Sequence, residues 1–296
     1  MKWQRLKHNG MAFPPPPSSA GLSIKIKGKK VRLTSEQEEM ALALAGKKDT
    51  PHIQDEVFIS NFLSDFLKTF PAEYANSSWR DIDFSEVFQY VDQEKQRKAL
   101  LTREEKKQLA EERRQQRLAL KEKYGYAEVN GKQFEIANWM AEPPCIFIGR
   151  GKHPLRGRWK PRISPKDVTL NLGEDVENRE DYWKSVVHDH NSMWLACWTD
   201  KLSNKVKYVW LTDAAPIRQT RDRLKFDTAG LLETRIDGVR KHISKGMRAK
   251  DTRTRKVASV CYLVDKLCMR VGDEKEEDEA DTVGASTLRV EPVTVN

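Results

Sequence analysis

The sequence predicts an α+β protein, because two kinds of hydrophobic periodicity occupy separate blocks of the chain. Apolar residues recur at helical spacing between residues 35 and 124, alternate with polar residues between 145 and 211, and return to helical spacing between 221 and 270. Runs of helices and runs of strands, rather than regular alternation, are typical of α+β architecture and not of a doubly wound sheet. The 296 residues suffice for two domains, or for one domain with a large insertion.

Local signals predict the elements of the first half of the chain. Four consecutive prolines at 14–17 predict a rigid connection. The alternating stretches Ser23 to Lys27 and Lys30 to Leu33 predict a hairpin. Capping boxes formed by Ser35 with Glu38 and by Thr102 with Glu105, and a stop at Gly125, help to predict the helices. These helices span 35–45, 56–70, 83–100 and 102–124.

The helices on either side of residue 101 are densely charged. Eleven basic and seven acidic side chains lie between Asp92 and Lys123. Helices of this composition cannot be buried on all sides, so we expect them to project into solvent. They form either an ordinary solvated face or a basic prong that reaches toward a polyanion, and composition alone favours the solvated face.

Alternation predicts a small antiparallel sheet in the second half of the chain. Its strands are Cys145 to Ile148, Val168 to Leu172, Lys184 to His188, Met193 to Thr199 and Val206 to Leu211. Two long helices follow, about Arg221 to Met247 and Arg253 to Arg270, and a further strand begins at Thr287. Cys261 and Cys268 share the apolar face of the second helix, where we expect core thiols.

Charge indicates the class of partner. The formal net charge is +9, and the stretch from Cys145 to Arg162 holds six basic residues and no acidic one. Repulsion among these cations is costly unless an anion compensates it, and two glycines allow the backbone to approach a partner closely. A second basic cluster spans 218–225, and a third, with eight basic residues and one acidic, spans 240–256. Phosphate backbones are the natural target of such spread charge.

Other classes of function find little support in the sequence. The four cysteines show no paired CxxC spacing, and no apolar run approaches about 18 residues, the length of a membrane span. The stretch Gly125 to Gln133 resembles a phosphate loop but has the wrong glycine spacing. His188 and His190 share a strand face as a possible half metal site, but without a third ligand nearby we predict no metal.

The chain resembles the eukaryotic type IB DNA topoisomerases in four stretches, namely MKWQRLKHNGMAFPPP, EPPCIFIGRGKHP, KVKYVWL and DKLCMRVGDEKEEDEADTVGASTLRVE. The resemblance covers nearly the whole chain in order and is loose only over residues 25–90. It implies a two-lobed clamp on duplex DNA. Such a clamp cuts one strand through a 3′-phosphotyrosine, lets the free end rotate, and reseals the strand without ATP or an obligatory metal. It also implies a location in the nucleus.

The resemblance further implies three subdomains. Residues 1–17 and 102–215 form a cap subdomain with the antiparallel sheet. Residues 18–101 form a second, mostly helical cap subdomain that ends in the projecting charged arm. Residues 216–296 begin a catalytic subdomain related to the tyrosine recombinases.

Arg270 matches a catalytic arginine of this family. When a tyrosine oxygen attacks a phosphodiester, negative charge grows on the nonbridging oxygens, and a guanidinium offers them two parallel donors. In family members the other four catalytic residues, a lysine, a second arginine, a histidine and a tyrosine, lie beyond the part of the chain that this sequence matches. We therefore expect a fragment or large subunit that carries one of five catalytic residues and does not cleave DNA alone. Its partners are then duplex DNA and the remaining catalytic part, in the same or a second chain.

The candidate DNA contacts come from the resemblance and from the basic clusters. Arg150, Lys160, Lys207, Arg218 and Lys225 match DNA-contacting positions of the family, and the first basic cluster adds Lys152 and Arg162. Arg150 also matches a minor-groove residue beside the cleavage point, where camptothecin-type inhibitors bind. Asp273 matches an asparagine at the same inhibitor site.

Three departures from the family pattern bear on these assignments. Ile148 replaces an arginine, and the pair at 214–215 is alanine where the family has serine. Asp273 adds a charge and opens an acidic block that reaches Asp281. We expect this block either to orient the loop beside Arg270 or only to aid solubility. A rival interpretation of the whole chain is a duplex-binding module without catalytic function.

Overall fold

The computed structural model describes residues 2–176, 181–272 and 284–288. The chain divides into two compact units, one made of residues 1–149 and 155–215 and the other of 150–154 and 216–296. Helices and strands both contribute, as the predicted α+β class requires. No helix in the described ranges has both the length and the apolar character that crossing a bilayer demands.

The helices occur in both units. They are α1 (Ser35–Ala45), α2 (Glu56–Phe66), α3 (Ser85–Leu100), α4 (Arg103–Tyr124), α5 (Pro216–Glu233), α6 (Ile236–Gly246) and α7 (Thr252–Leu267).

The strands of the described residues are short. In the first part of the chain they are β1 (Leu6–His8), β2 (Ser23–Ile26), β3 (Lys29–Arg32), β4 (Ile82–Asp83), β5 (Tyr126–Val129) and β6 (Lys132–Glu135). The later ones are β7 (Cys145–Ile146), β8 (Trp159–Lys160), β9 (Val168–Asn171), β10 (Ser185–Val187), β11 (Ala196–Thr199) and β12 (Val206–Val209). They form sheets in the orders β1-β5-β6, β10-β9-β11-β12, β3-β2-β4 and β7-β8.

The hairpin and the capping box at Thr102 are confirmed. Strands β2 and β3 pair from Ser23 with Arg32 to Ile26 with Lys29. The Thr102 hydroxyl accepts from the N–H of Glu105, whose carboxylate accepts from the N–H of Thr102. Helix α4 ends at Gly125, as predicted, and has no buried residue. The charged helix α4 is therefore exposed along most of its length and half-buried only in its last turn.

The capping box predicted at the start of α1 is wrong by one residue. Thr34 is the N-cap, and its partner is the Gln37 side chain. Glu38 is instead fully buried and accepts hydrogen bonds from the Ser19 hydroxyl and from the backbone N–H groups of residues 20–22. A buried carboxylate with these donors ties the segment after the prolines to α1.

The main core of the first unit packs α1 and α2 against the β3-β2-β4 sheet. Phe58, Phe62 and Phe66 of α2 are fully buried in it, and the rings of Phe62 and Phe66 stack with centroids 5.3 Å apart. Ile146 of β7 and Trp159 of β8 belong to the same core. Burial of each such ring stabilises the fold by about 2 to 3 kcal/mol, so this core holds the β7–β8 segment in place.

The predicted antiparallel sheet is wrong in two respects. Strand β10 runs parallel to β9, so the four-stranded sheet is mixed. The predicted strand beginning at Cys145 is shorter and pairs with β8 in a separate two-stranded sheet. The packing of Ile146 and Trp159 in the α1–α2 core explains the separation, because residues far apart in sequence cover this segment.

The described residues of the second unit form three helices where the sequence predicted two. The predicted helix from Arg221 to Met247 is interrupted at residues 234–235, between α5 and α6. Helix α7 has Ala258 as its buried residue, while Cys261 and Cys268 are exposed, so the expectation of core thiols is wrong. The predicted final strand lies almost wholly outside the described residues.

Candidate nucleic-acid interface

The six cations between Cys145 and Arg162 divide into two groups. The structure pairs four of them with carboxylates: Arg156 with Asp55, Arg158 with Asp65, Lys160 with Glu142 and Asp200, and Arg162 with Glu39. These acids lie outside the 145–162 stretch. The chain's own carboxylates therefore compensate four of the six charges, and for these four the repulsion does not by itself require an external anion.

Two of these arginines bind carboxylates at the two ends of helix α2. The guanidinium of Arg156 makes a bidentate contact with Asp55, the N-cap of α2, at 2.6 and 3.0 Å. Arg158 donates to Asp65 at 2.7 Å, and the N–H of Trp159 reaches the same oxygen at 3.0 Å. Charge-assisted contacts of this geometry fix the segment on α2. The Arg156 contact holds the pKa of Asp55 below its usual value, although burial opposes this.

Arg162 has a structural role in the free chain. Its guanidinium donates to the carbonyl oxygens of Pro14 and Pro15 at 3.0 and 2.7 Å and to Glu39 of α1 at 2.7 Å. Prolines offer carbonyl acceptors but no N–H donors, so a guanidinium is a suitable partner for this stretch. Arg162 therefore anchors the proline-rich segment, and its predicted DNA contact stays a prediction.

Lys160 and Lys207 are brought together by the fold. Lys160 lies on β8 and Lys207 on β12, and both ammonium groups contact the same two carboxylates, those of Glu142 and Asp200. Lys160 is 3.0 Å and Lys207 is 3.3 Å from Oδ2 of Asp200, and Lys207 is 2.9 Å from Oε1 of Glu142. We call these four residues the lysine–carboxylate cluster.

The cluster is built on a buried acid. The side chain of Asp200 is 4% exposed, and its Oδ1 accepts from the N–H groups of Leu202 and Ser203 in the turn between β11 and β12. Burial alone would raise the pKa of Asp200, but these donors and Lys160 hold it well below its usual range. Burial alone would lower the pKa of Lys160, but Glu142 and Asp200 raise it instead. Asp200 and Lys160 are therefore both charged at neutral pH.

Arg150 and Lys152 are the exposed cations of the 145–162 stretch. Both are open to solvent, and each follows a glycine in the left-handed region, Gly149 with φ of 70° and Gly151 with φ of 56°. Glycine adopts this conformation without the cost that a Cβ would impose. By its contacts the segment 150–154 belongs to the second unit. Its conformation leaves the two cations accessible to a polyanion.

The second unit contributes further cations from its helices. Lys225 of α5 is exposed and 3.8 Å from Asp222, whereas Arg218 is half-buried. The cluster at 240–256 lines an open groove of about 1030 Å³ between α6 and the start of α7. Its walls include Arg240, Lys241, Lys245, Arg248 and Lys250. An exposed cationic groove of this kind suits phosphate oxygens.

Arg270 follows α7 and is exposed. Its carbonyl accepts from the N–H of Ala285 at 2.8 Å, and the carbonyl of Val271 accepts from Ser286 at 2.7 Å. A Cβ on Gly284 would lie 2.2 Å from Cα of Gly272, so the two backbone segments are in close contact. Residues 284–287 thus fix the backbone at Arg270. Asp273 and the rest of the acidic block lie outside the described residues.

The stretch that resembles a phosphate loop and the two histidines of the half metal site both have structural roles. The loop-like stretch is the β5–β6 hairpin, with Asn130 and Gly131 at φ of 50° and 77° in its turn. Nδ1 of His188 lies 2.7 Å from the Leu172 carbonyl, and Nδ1 of His190 lies 3.1 Å from that of Trp3. Each imidazole thus has a backbone partner.

Two members of the lysine–carboxylate cluster, Glu142 and Asp200, were not predicted from the sequence. Glu142 is the acid immediately upstream of the basic 145–162 stretch, and that position was the available signal for it. Asp200 offered none, because its contact with Lys160 depends on the pairing of strands that are distant in sequence.

Comparisons with known proteins point to the same family along the whole chain. The family model of the eukaryotic DNA topoisomerase I, DNA binding fragment, matches residues 1–211, and that of the eukaryotic DNA topoisomerase I, catalytic core, matches residues 214–296. The chain is 39% identical to DNA topoisomerase 1 beta of Arabidopsis thaliana, over 98% of this chain and 32% of that protein. It is 36% identical to DNA topoisomerase 1 of Caenorhabditis elegans, over 99% of this chain and 37% of that protein.

A human relative matches as well. Identity to DNA topoisomerase I, mitochondrial, of Homo sapiens is 35%, over 100% of this chain and 50% of that protein. The chain thus spans about a third to a half of the length of these relatives. The two matched family models describe a DNA binding fragment, over residues 1–211, and a catalytic core, over residues 214–296. The exposed basic surfaces of both units are consistent with these descriptions. The chain belongs to the eukaryotic DNA topoisomerase I family.

Proposed function

We propose that this chain is the DNA-binding clamp part of an ATP-independent type IB topoisomerase. The complete enzyme would relax supercoiled DNA by cutting one strand through a 3′-phosphotyrosine and resealing it, with neither ATP nor an obligatory metal. The observation that carries this proposal is the match of residues 1–211 to the family's DNA binding fragment. The exposed cations at Arg150, Lys152 and 240–256 support it.

Contacts to phosphates would explain how such a clamp holds DNA of any sequence. Lysine and arginine side chains that reach phosphate oxygens position the duplex but do not distinguish bases. In this proposal Arg150, Lys152, Lys207 and Lys225 contribute such contacts, with Lys160, Arg162 and Arg218 adding to them once DNA is bound. The glycines on either side of Arg150 would let its backbone approach the duplex closely.

Arg270 would act in chemistry rather than in gripping DNA. Its guanidinium would stabilise the charge that develops on the phosphate during cleavage. Residues 216–296 would then begin a catalytic subdomain related to the tyrosine recombinases. The lysine, second arginine, histidine and tyrosine would come from the remaining catalytic part, in the same or another chain. The nucleus is the proposed location.

A salt titration tests the binding part of the proposal. Fluorescence anisotropy would measure the Kd of the chain for two 20-base-pair duplexes of unrelated sequence between 50 and 200 mM NaCl. With about six phosphate contacts, we expect both affinities to fall by roughly three decades over this range. A Kd that does not change with salt, or that differs tenfold between the duplexes, would contradict a phosphate-based clamp.

A plasmid relaxation assay separates the enzyme from a binding module without catalytic function. The chain alone should leave supercoiled plasmid unchanged and form no covalent DNA adduct. Addition of the remaining catalytic part should then restore relaxation without ATP. If binding is strong but the combined material never relaxes the plasmid, the chain is a binding module. Nicking by the chain alone, after contaminating nucleases are excluded, would overturn the assignment of the missing residues.

A further inference from the structure

Two of the proposed DNA contacts are already occupied in the free chain. Glu142 receives hydrogen bonds from the ammonium groups of both Lys160 and Lys207, the latter at 2.9 and 3.0 Å to its two oxygens. An ammonium group has three donors. A phosphate oxygen that approached these lysines would therefore meet donors directed at a carboxylate.

The two acids of the lysine–carboxylate cluster differ in how firmly they are held. Asp200 is buried and is fixed by the backbone of residues 202–203, so it stays in place. The side chain of Glu142 is 50% exposed and precedes Pro143, which restricts its backbone but not its side-chain torsions. Glu142 is therefore the acid that can rotate away from the lysines toward solvent.

The charges of the cluster decide what it presents to DNA. Two ammonium groups and two carboxylates sum to zero, so the cluster itself contributes no net charge in the free chain. Rotation of Glu142 into solvent would leave two ammonium groups against Asp200 alone. A phosphate could then take the place of Glu142, because it offers the same donors an oxyanion.

We propose that Glu142 competes with the DNA phosphate for Lys160 and Lys207, and that duplex binding displaces it. This inference rests on the proposed function, since it concerns the same surface. Lys207 is 33% exposed and Lys160 13%, so Lys207 is the residue that meets the phosphate first. The role of Glu142 is to keep both lysines ordered and neutralised until a polyanion replaces it.

The test compares Glu142→Gln with the wild-type chain in the anisotropy assay at 100 mM NaCl. Removal of the competing charge should tighten duplex binding about two- to fivefold, the range expected for an exposed ion pair. The matched control is Glu135→Gln, which removes an equal charge from the pair of Glu135 with Lys121, 2.6 Å apart. The control should change Kd less than Glu142→Gln does. Unchanged or weaker binding by Glu142→Gln would show that Glu142 only positions the lysines.

A double-mutant cycle tests whether the effect passes through Lys207. In a chain that carries Lys207→Met, the gain from Glu142→Gln should shrink. A gain of the same size in both backgrounds would attribute it to net charge and overturn the inference. Failure of the wild-type chain to bind duplex even at 50 mM NaCl would overturn the proposed function, and this inference with it. Strong wild-type binding without a gain in Glu142→Gln would overturn this inference alone.

Discussion

The ammonium nitrogen of Lys160 lies 3.0 Å from Oδ2 of Asp200, a carboxylate whose side chain is 4% exposed. This contact joins β8 to the turn after β11, and it fixes a residue that the family resemblance assigns to DNA. Removal of one member of a buried ion pair leaves an uncompensated charge, which is more costly than loss of the attraction itself. The same contact therefore supports the fold and constrains the site.

Asp200→Asn should destabilise the first unit by about 3 kcal/mol. The amide can keep the turn contacts of Oδ1 but leaves Lys160 with Glu142 as its acidic partner. Because the pKa of Asp200 is lowered in the fold, its contribution is present above about pH 4, the usual value, and is lost as the pH falls. Urea unfolding at pH 7 and pH 3 should show a smaller difference between variant and wild type at pH 3. Asp49→Asn breaks the exposed pair of Asp49 with Lys95 and should cost much less stability than Asp200→Asn, because solvent screens an exposed pair.

Gly157→Ala should destabilise the chain by about 3 kcal/mol. Gly157 has φ of 90°, and an added Cβ would lie 2.0 Å from the Phe58 carbonyl oxygen of α2. Backbone strain and overpacking each cost about 1 to 3 kcal/mol. Gly131→Ala is the matched control, because Gly131 has φ of 77° but no atom of the described residues lies within 4 Å of the added Cβ. Thermal unfolding should show the larger loss for Gly157→Ala, and equal losses would contradict the close contact with α2.

The imidazole of His8 should make the first unit sensitive to mild acid. Burial lowers the pKa of His8 to about 4, although backbone contacts oppose the shift. The N–H of Gly10 donates to Nδ1 at 3.1 Å, and Nε2 lies 3.0 Å from the Asn171 carbonyl, so the ring is neutral with its proton on Nε2. The free energy of unfolding should therefore be highest above about pH 6.5 and fall by about 3 kcal/mol as the pH drops to 4. The reason is that the imidazole of His8 binds a proton at a higher pH in the unfolded chain than in the folded chain.

Urea unfolding of wild type and His8→Gln across pH 4 to 7 measures this effect. The variant should be less stable at pH 7, but its stability should change less with pH than that of the wild type. His242→Gln, which removes an exposed imidazole of α6, is the control for the loss of a histidine outside the core. Parallel profiles for wild type and His8→Gln would show that the ring is not held neutral.

The sequence predicted the elements whose signals are local. The bounds of α1 and the capping box at Thr102 depend on residues that are close together in the sequence, and both were predicted correctly. Strand β1 was missed because it has three residues and pairs with β5, more than a hundred positions away. The β5–β6 hairpin was missed as well, although the Asn130-Gly131 pair favours a tight turn.

The basic residues of the candidate site could be predicted from the sequence, but the carboxylates that pair with them could not. Basic residues at Arg150 and Lys160 look alike in the sequence, yet the first is exposed and the second is held by Glu142 and Asp200. The difference depends on which carboxylates the fold brings near, and these come from elsewhere in the chain. Repulsion within a cationic stretch is therefore weak support for an external anion.

Duplex binding should depend more on Arg150 and Lys152 than on the charged helix α4. Arg150→Ala with Lys152→Ala should weaken binding more than Lys106→Ala with Lys107→Ala, although each pair removes two charges. The reason is that left-handed glycines allow close backbone approach at Arg150, whereas α4 is a solvated helix. Anisotropy at one fixed salt concentration compares the pairs. The opposite ranking would place the main contact on α4 and favour the basic prong.

Arg270 should govern the rate of strand cleavage more than the affinity for DNA. With the remaining catalytic part added, Arg270→Ala should slow single-turnover cleavage of a suicide substrate about 100- to 1,000-fold, because the guanidinium acts on charge that appears in the transition state. Arg270→Lys should recover part of the rate, since an ammonium restores the charge but not the two-pronged geometry.

Separate measurements of binding and cleavage distinguish a catalytic arginine from a phosphate anchor. Arg248→Ala is the matched control, because Arg248 is an exposed cation of the same unit and lines the groove at 240–256. It should weaken binding without changing the cleavage rate at saturating enzyme. Arg270→Ala should do the reverse, with Kd changed less than tenfold and the rate strongly reduced. If Arg270→Ala instead binds poorly and cleaves at the wild-type rate, Arg270 only anchors a phosphate. The transition-state role would then be wrong, although membership of the family would stand.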